Sequence, residues 1–151
     1  MKEIETRKKT RFFISDCDFD LVSSKTWYIA NNGYPTMGRE PILLHRFLMN
    51  PPKGFQVDHI DGNKLNNQRE NLRIVTPQQN RWNMWKNGGN TSKYKGVSWS
   101  KQLSKWVVDI CKDKKVKHVG YFDSESEAAL AYNECAKLAF GEFARLNIIS
   151  K

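Results

Sequence analysis

Thr76-Pro77-Gln78-Gln79 is a complete helix start, and it fixes the order of the elements around it. Thr76 can cap the helix, Pro77 suits the first helical position, where no amide hydrogen is needed, and Gln79 can reach back to the capping residue. The predicted helix covers 77–86 and stops at Asn87-Gly88-Gly89. Ahead of it, 56–60 reads as a strand, 61–63 as a turn and 64–70 as a polar loop. Residues 72–75 then form the second strand of a hairpin, with Asn71 at its entrance. The order is strand, loop, strand, helix.

Asn87-Gly88-Gly89-Asn90-Thr91-Ser92 contains nothing that would bury, so the chain is predicted to divide there. The domains are then 1–86 and 93–151, with 87–92 as linker. In the first, 1–10 reads as a loose polar arm, 11–14 as a short strand and 15–20 as an acidic turn. Residues 27–30 read as a strand, Asn31-Asn32-Gly33 as a hairpin turn, 42–45 as a returning strand and 47–49 as a short helix. In the second, strands are predicted over 94–99, 106–111 and 117–122. Ser124-Glu125-Ser126-Glu127 reads as a second capping box, opening a helix whose buried stripe is Ala128, Ala131, Tyr132, Cys135 and Ala139. The fold class is α+β: a small β-rich domain, then a three-stranded antiparallel sheet packed on one helix.

Net charge is +9, from 25 Lys and Arg against 16 Asp and Glu, and a balance of this size favours polyanions, of which nucleic acid is the usual one. The charge is uneven. Residues 93–122 carry eight basic and two acidic side chains, and 123–151 carry three and five, which suggests a basic face with an acidic helix behind it. Cys17, Cys111 and Cys135 form no C-x-x-C pair, which argues against a zinc ribbon and a disulfide framework. With no apolar leader and no run of membrane-spanning length, the chain is expected to be soluble, cytoplasmic and free of membrane contact.

The chemistry gathers around Asp58-His59. Hydrolysing a phosphodiester needs an activated water, stabilised charge on the phosphoryl oxygens and help for the leaving alkoxide; a neutral histidine can supply the first and a divalent cation the others. Magnesium takes oxygen ligands and keeps several waters, so Asp58 and the amide oxygen of Asn80 suffice as protein ligands. Asn71 can accept from one imidazole nitrogen of His59 and hold the ring. Strand alternation points Asp58 and His59 to opposite faces unless the strand ends or twists there.

HRF at 45–47, followed by VDHIDGNKLNNQRENLRIVTPQQN at 57–80, resembles the HNH endonucleases of the ββα-metal fold, especially those of phages and mobile introns. The resemblance covers roughly residues 10–90. It implies that Asp58 and Asn80 are the metal ligands, His59 the general base and Asn71 the middle residue that orients it. Asn80 stands where the name-giving pattern has a final histidine, which favours magnesium, or manganese, over zinc. No small-molecule cofactor is expected.

The blocks YKGV, KWVVDI, VGYF and EAALAYN resemble the DNA-binding domain of plant ethylene-response factors, the APETALA-two fold, over about 55 residues. That resemblance implies a sheet that enters the major groove, with a helix behind it. Cys111 and His118 replace an arginine and a tryptophan of that family, and neither reproduces the bidentate pair that arginine makes with guanine. The expectation is then a different sequence preference, or binding led by phosphates, from Lys95, Lys101, Lys105, Lys114, Lys115 and Lys117 with His118 beside them. In the first domain Arg46 and Arg73 are the candidate DNA contacts; a guanidinium fork at Arg46 matches phosphate oxygens.

The function expected is a metal-dependent endonuclease of homing or phage HNH type on double-stranded DNA, from a phage or mobile element, dimeric if it cuts both strands. The alternative is a DNA-binding regulator with a vestigial nuclease site. An RNA substrate fits less well, because A-form RNA hides its major groove.

Overall fold

A computed structural model describes residues 1–85 and 91–149. The chain divides into two compact units, Met1–Asn80 and Arg81–Lys151. Most of the linker expected over 87–92 lies outside the described residues.

In the first unit, β1 (Lys2–Glu5) pairs antiparallel with β2 (Arg11–Ile14), so the loose arm expected over 1–10 is instead a strand and a tight turn. Alternation drives this: Phe12 and Ile14 are fully buried, and β1 covers the edge they leave. The acidic turn expected over 15–20 is a 3-10 turn at Asp16–Asp18 running into α1 (Phe19–Ser23). Buried Asp18 takes a bidentate grip from Arg69, at 2.7 and 2.9 Å, which satisfies its charge.

Strands β3 (Tyr28–Ile29), β4 (Pro35–Met37) and β5 (Ile42–Leu43) form an antiparallel sheet. Gly33, at φ 84, makes the turn that the Asn-Asn-Gly signal calls for. Next comes α2 (Leu44–Met49), which corrects the strand expected over 42–45: His45 lies in the first turn of a helix. Leu44, His45 and Leu48 are buried, and two adjacent residues with a third three and four positions on share a helix face, not one face of a strand.

Strand β6 (Gln56–His59) leads through β7 (Asn66–Asn67), which runs parallel to β2, and a 3-10 turn at Arg69–Asn71 into β8 (Leu72–Val75). β6 and β8 pair antiparallel, with Asp58 opposite Arg73. Then α3 (Pro77–Asn83) follows; it ends at Asn83, short of the expected Lys86, and the division between the units falls inside it. Its capping box forms as read: the Thr76 amide donates to Gln79 Oε1 at 2.8 Å and the Gln79 amide to Thr76 Oγ1 at 3.2 Å. One cluster built on Phe12, Ile14, Val22, Trp27, Leu44 and Val57 is the core. Each such side chain stabilises the fold by about 1.5–3 kcal/mol.

In the second unit, β9 (Val97–Ser100), β10 (Lys105–Lys112) and β11 (Lys115–Phe122) form an antiparallel sheet, and α4 (Glu125–Phe140) covers one face. Asp113 and Lys114, at φ 54 and 62, make a two-residue turn with both angles positive, which matches the twist of the long hairpin. Val108 and Ile110 bury against Ala128, Ala129, Tyr132 and Ala136. The buried stripe is thus rotated from the one expected, with Ala131, Cys135 and Ala139 only at its border. Nor does the Ser124 side chain cap α4. Gly96 is required: at φ 74, an added Cβ would sit 2.1 Å from the Tyr132 ring. Asn147 closes the unit, bonding Lys95 through both backbone groups and exchanging bonds with Asn133. Among the described residues no helix is long and apolar enough to cross a membrane.

Candidate active site

His59 ends β6 and is 5% exposed. Its Nε2 lies 3.2 Å from Asn67 Oδ1. The Asn67 amide has only one orientation open to it, because its Nδ2 donates to the Lys64 carbonyl at 3.1 Å. Oδ1 therefore accepts, Nε2 carries the proton, and the lone pair of the neutral ring sits on Nδ1. Asn67 is fully buried on β7, and pairing of that strand with β2 fixes it from the backbone. Two rings confine the imidazole further: His45 at 5.1 Å between centroids, edge-on, and Tyr34 at 5.9 Å.

Asn71 is not the residue on the His59 ring. It stitches the loop, accepting from the Asp61 amide at 3.0 Å and donating to Asp61 Oδ1 at 2.9 Å and the Asn66 carbonyl at 2.8 Å. The 3-10 turn at Arg69–Asn71 turns its side chain inward across the loop, and so the bond falls to Asn67. The LNN triplet at 65–67 carried a signal for this: two adjacent asparagines alternate in a strand, one outward and one buried.

Burial holds the His59 imidazole below the ordinary histidine value, opposed by the Asn67 hydrogen bond and the Asp61 and Asp58 charges. His45 is pushed further, to about 3, by burial and then by His59 and Arg46. Both rings are neutral near pH 7. Burial works against the Asp61 charge, but bonds from the Asn63 amide, Asn66 and Asn71 hold its carboxyl below the usual range. Tyr34 is raised, by burial and then by Asp58.

Asp58, next to His59 on β6, lies opposite Arg73 on β8, and its charge still reaches both His59 and Tyr34. Its Oδ2 accepts from Arg73 at 2.9 Å, and both side chains are buried, at 7% and 13% exposure. Gln56 shares its face of β6, and Asn80 lies against that face, with Nδ2 donating to Gln56 Oε1 at 2.6 Å. This bond turns Asn80 Oδ1 away from Gln56. Asp58 and Asn80 thus offer two oxygen donors on one side of the strand. No cluster of three His, Cys, Asp or Glu side chains that could hold a metal occurs among the described residues. The donors present suit a hard ion of magnesium type, which needs one or two protein oxygens beside water and phosphate, and do not suit zinc.

Several residues read as DNA contacts are otherwise engaged. Arg73 is committed to Asp58, its cross-strand neighbour. Lys95 Nζ donates to the carbonyls of Trp82 and Met84 at 2.6 and 2.8 Å, capping the end of α3; burial, then Arg145, lowers it to about 8. Lys105 pairs with Asp123, and His118 bonds Asp109 at 3.0 Å with its ring against Tyr121. Lys101, Lys114, Lys115 and Lys117 are exposed, as is Arg46, whose Nη1 reaches the Phe55 carbonyl at 3.5 Å.

Comparison with known proteins bears on this arrangement directly. A family model described as HNH endonuclease matches residues 50–82, which contain β6, β7, β8 and all but the last residue of α3. An uncharacterised HNH endonuclease of Acanthamoeba polyphaga mimivirus is 36% identical over 94% of this chain and 77% of its own length. Protein 3.8 of Escherichia phage T7 is 40% identical over 62% of this chain and 77% of its own. A Bacillus subtilis protein of the SPbeta prophage, named as a candidate HNH homing endonuclease, is 47% identical over 40% of this chain and 42% of its own. No solved structure matches. With a relative this similar along nearly its whole length, the chain belongs to the HNH endonuclease family and is a DNA-cleaving enzyme.

Proposed function

We propose that the chain is a magnesium-dependent endonuclease of homing or phage type whose first domain, 1–86, hydrolyses one phosphodiester per active site of duplex DNA. The observation that carries the reading is the Asn67–His59 bond, which sets one imidazole tautomer at the end of the strand that also bears Asp58. His59 Nδ1 takes a proton from water as the water oxygen bonds to phosphorus. The bond from phosphorus to the 3′ oxygen breaks, and that oxygen takes a proton from a second water, leaving 5′-phosphate and 3′-hydroxyl ends. Asp58 and Asn80 would hold the metal, which HNH nucleases generally require and which supplies charge stabilisation at the phosphoryl and leaving oxygens. Asn71 acts through the loop it stitches, and the site would be a ββα-metal fold.

The domain over 93–151 would grip flanking DNA in the manner of an ethylene-response-factor domain, raising the effective concentration of the site on its target. Its open sheet face and the exposed Lys101, Lys114, Lys115 and Lys117 support this. Two active sites, hence a dimer, would be needed to cut both strands together. One observation favours the alternative of a DNA-binding regulator with a vestigial site: Asp58 is already engaged by Arg73.

Two results test the reading. Because burial lowers the His59 pKa, the base stays unprotonated to lower pH than usual, so the acid limb of the kcat/KM profile falls below about 6.5. A limb above that value contradicts the assignment of His59. Asn67→Ala frees the ring to change tautomer and is expected to lower kcat by roughly 10²-fold with KM unchanged, a loss on the scale of misplacing a reacting group by an ångström. Asn67→Asp keeps an acceptor for Nε2–H but loses the donor to the Lys64 carbonyl, so it recovers part of the rate. Equal loss in both variants points to packing instead.

A further inference from the structure

The turn between β1 and β2 carries Arg7, Lys8 and Lys9, all exposed. On the stem below them, Arg11 pairs with both Glu3 and Glu5, each at 3.1 Å. Among the described residues no ion pair or hydrogen bond engages the side chains of Arg7, Lys8 or Lys9. The turn is nevertheless well fixed. The Thr6 amide donates to the Thr10 carbonyl at 2.9 Å, the Lys9 amide to the Thr6 carbonyl at 2.9 Å, and the Thr10 amide to Thr6 Oγ1 at 3.2 Å. Thr6 itself is buried. Lys9 sits at φ 59, where glycine would be the less strained choice, so the turn keeps a cation at a conformational cost.

This hairpin is tied to the catalytic loop. β2 pairs with β1 on one edge and with β7 on the other, where Ile14 lies beside Asn67, and the Phe13 amide donates to the Leu65 carbonyl at 2.8 Å. Four residues of strand separate Ile14 from Thr10, or about 13 Å at about 3.3 Å per residue. Along a duplex that reach corresponds to about four base pairs.

We propose that the β1–β2 turn is a phosphate clamp, in which Arg7, Lys8 and Lys9 hold the DNA backbone about four base pairs from the scissile phosphate. The inference rests on the endonuclease reading, and it adds a DNA contact within the nuclease unit itself. The acids of the stem, Glu3 and Glu5, are both held by Arg11, and the turn itself carries charge of one sign only. Such a turn neutralises phosphates without reading bases.

The test is duplex binding over a salt series, with cleavage at saturating DNA, for the full chain carrying Arg7→Gln, Lys8→Gln and Lys9→Gln. Each lost phosphate contact removes about 0.9 from the slope of log K against log salt, so the slope should shrink by about 2.7 and affinity fall roughly tenfold or more. The maximal cleavage rate should stay at the wild-type level. A second variant with Lys25→Gln, Arg39→Gln and Lys53→Gln removes the same charge from other exposed positions of the unit. An unchanged slope in the first variant, or an equal fall in both, overturns the clamp. Failure of the wild-type chain to bind or cut DNA would instead refute the endonuclease reading beneath it.

Discussion

His59→Ala slows cleavage of duplex DNA by about 10²–10⁴-fold, the contribution of a positioned general base, and leaves DNA affinity at the wild-type level. The affinity should hold because the ring is 5% exposed and faces Asn67, His45 and Tyr34. Truncation leaves buried Asn67 Oδ1 without its donor, at a cost of about 1–3 kcal/mol in stability. A melting curve therefore accompanies the assay, so that loss of the base is not confused with loss of the fold. His59→Gln, which keeps an N–H donor, should recover stability and not rate. A rate within tenfold of wild type in either folded variant removes His59 from the mechanism.

Asp58→Ala is expected to do two kinds of damage. It abolishes cleavage, as loss of the carboxylate that would hold the metal requires. It also removes the anion bound by Arg73, in a site where both partners are largely out of solvent. Breaking such a pair by deleting one partner costs about 3–5 kcal/mol, because the remaining charge keeps its desolvation penalty. The double variant Asp58→Ala/Arg73→Leu separates the two effects. Denaturant melts should show stability regained, while cleavage stays absent. Cleavage returning along with stability would mean that Asp58 is only a structural partner of Arg73.

The elements that local chemistry dictates were legible in the sequence. Thr76 to Gln79 set the start of α3, Asn31-Asn32-Gly33 the β3–β4 turn, and the runs at 106–111 and 117–122 the paired strands β10 and β11. Two pairings were hidden. The β1–β2 hairpin is local, but its turn at 6–10 carries no Gly, Pro or Asn-Gly signal to announce it. The pairing of Asn66-Asn67 with the other side of β2 joins segments distant in the chain, and it delivers Asn67 to His59. Asn71 matched the family pattern by spacing, yet spacing along the chain carries no information about which of three nearby asparagines turns toward the ring.

The charged residues show the same limit. Arg73 and Lys95 were read as surface cations because arginine and lysine usually are. The structure uses one on Asp58 and the other on the carbonyls at the end of α3, where a half-buried ammonium replaces the amide donors a continuing helix would supply. Lys101, Lys114, Lys115 and Lys117 carry no such commitment and keep their place in the proposed DNA contact.

The most direct test follows supercoiled plasmid and binding to the same DNA in parallel, with the full chain first stripped of metal by EDTA and then given magnesium. The account predicts binding in both states, cleavage only after magnesium, and breaks that end in 5′-phosphate and 3′-hydroxyl groups. DNA that is bound tightly and stays intact with magnesium and with manganese, across a randomised target library, would contradict it and leave a binding protein with a vestigial site.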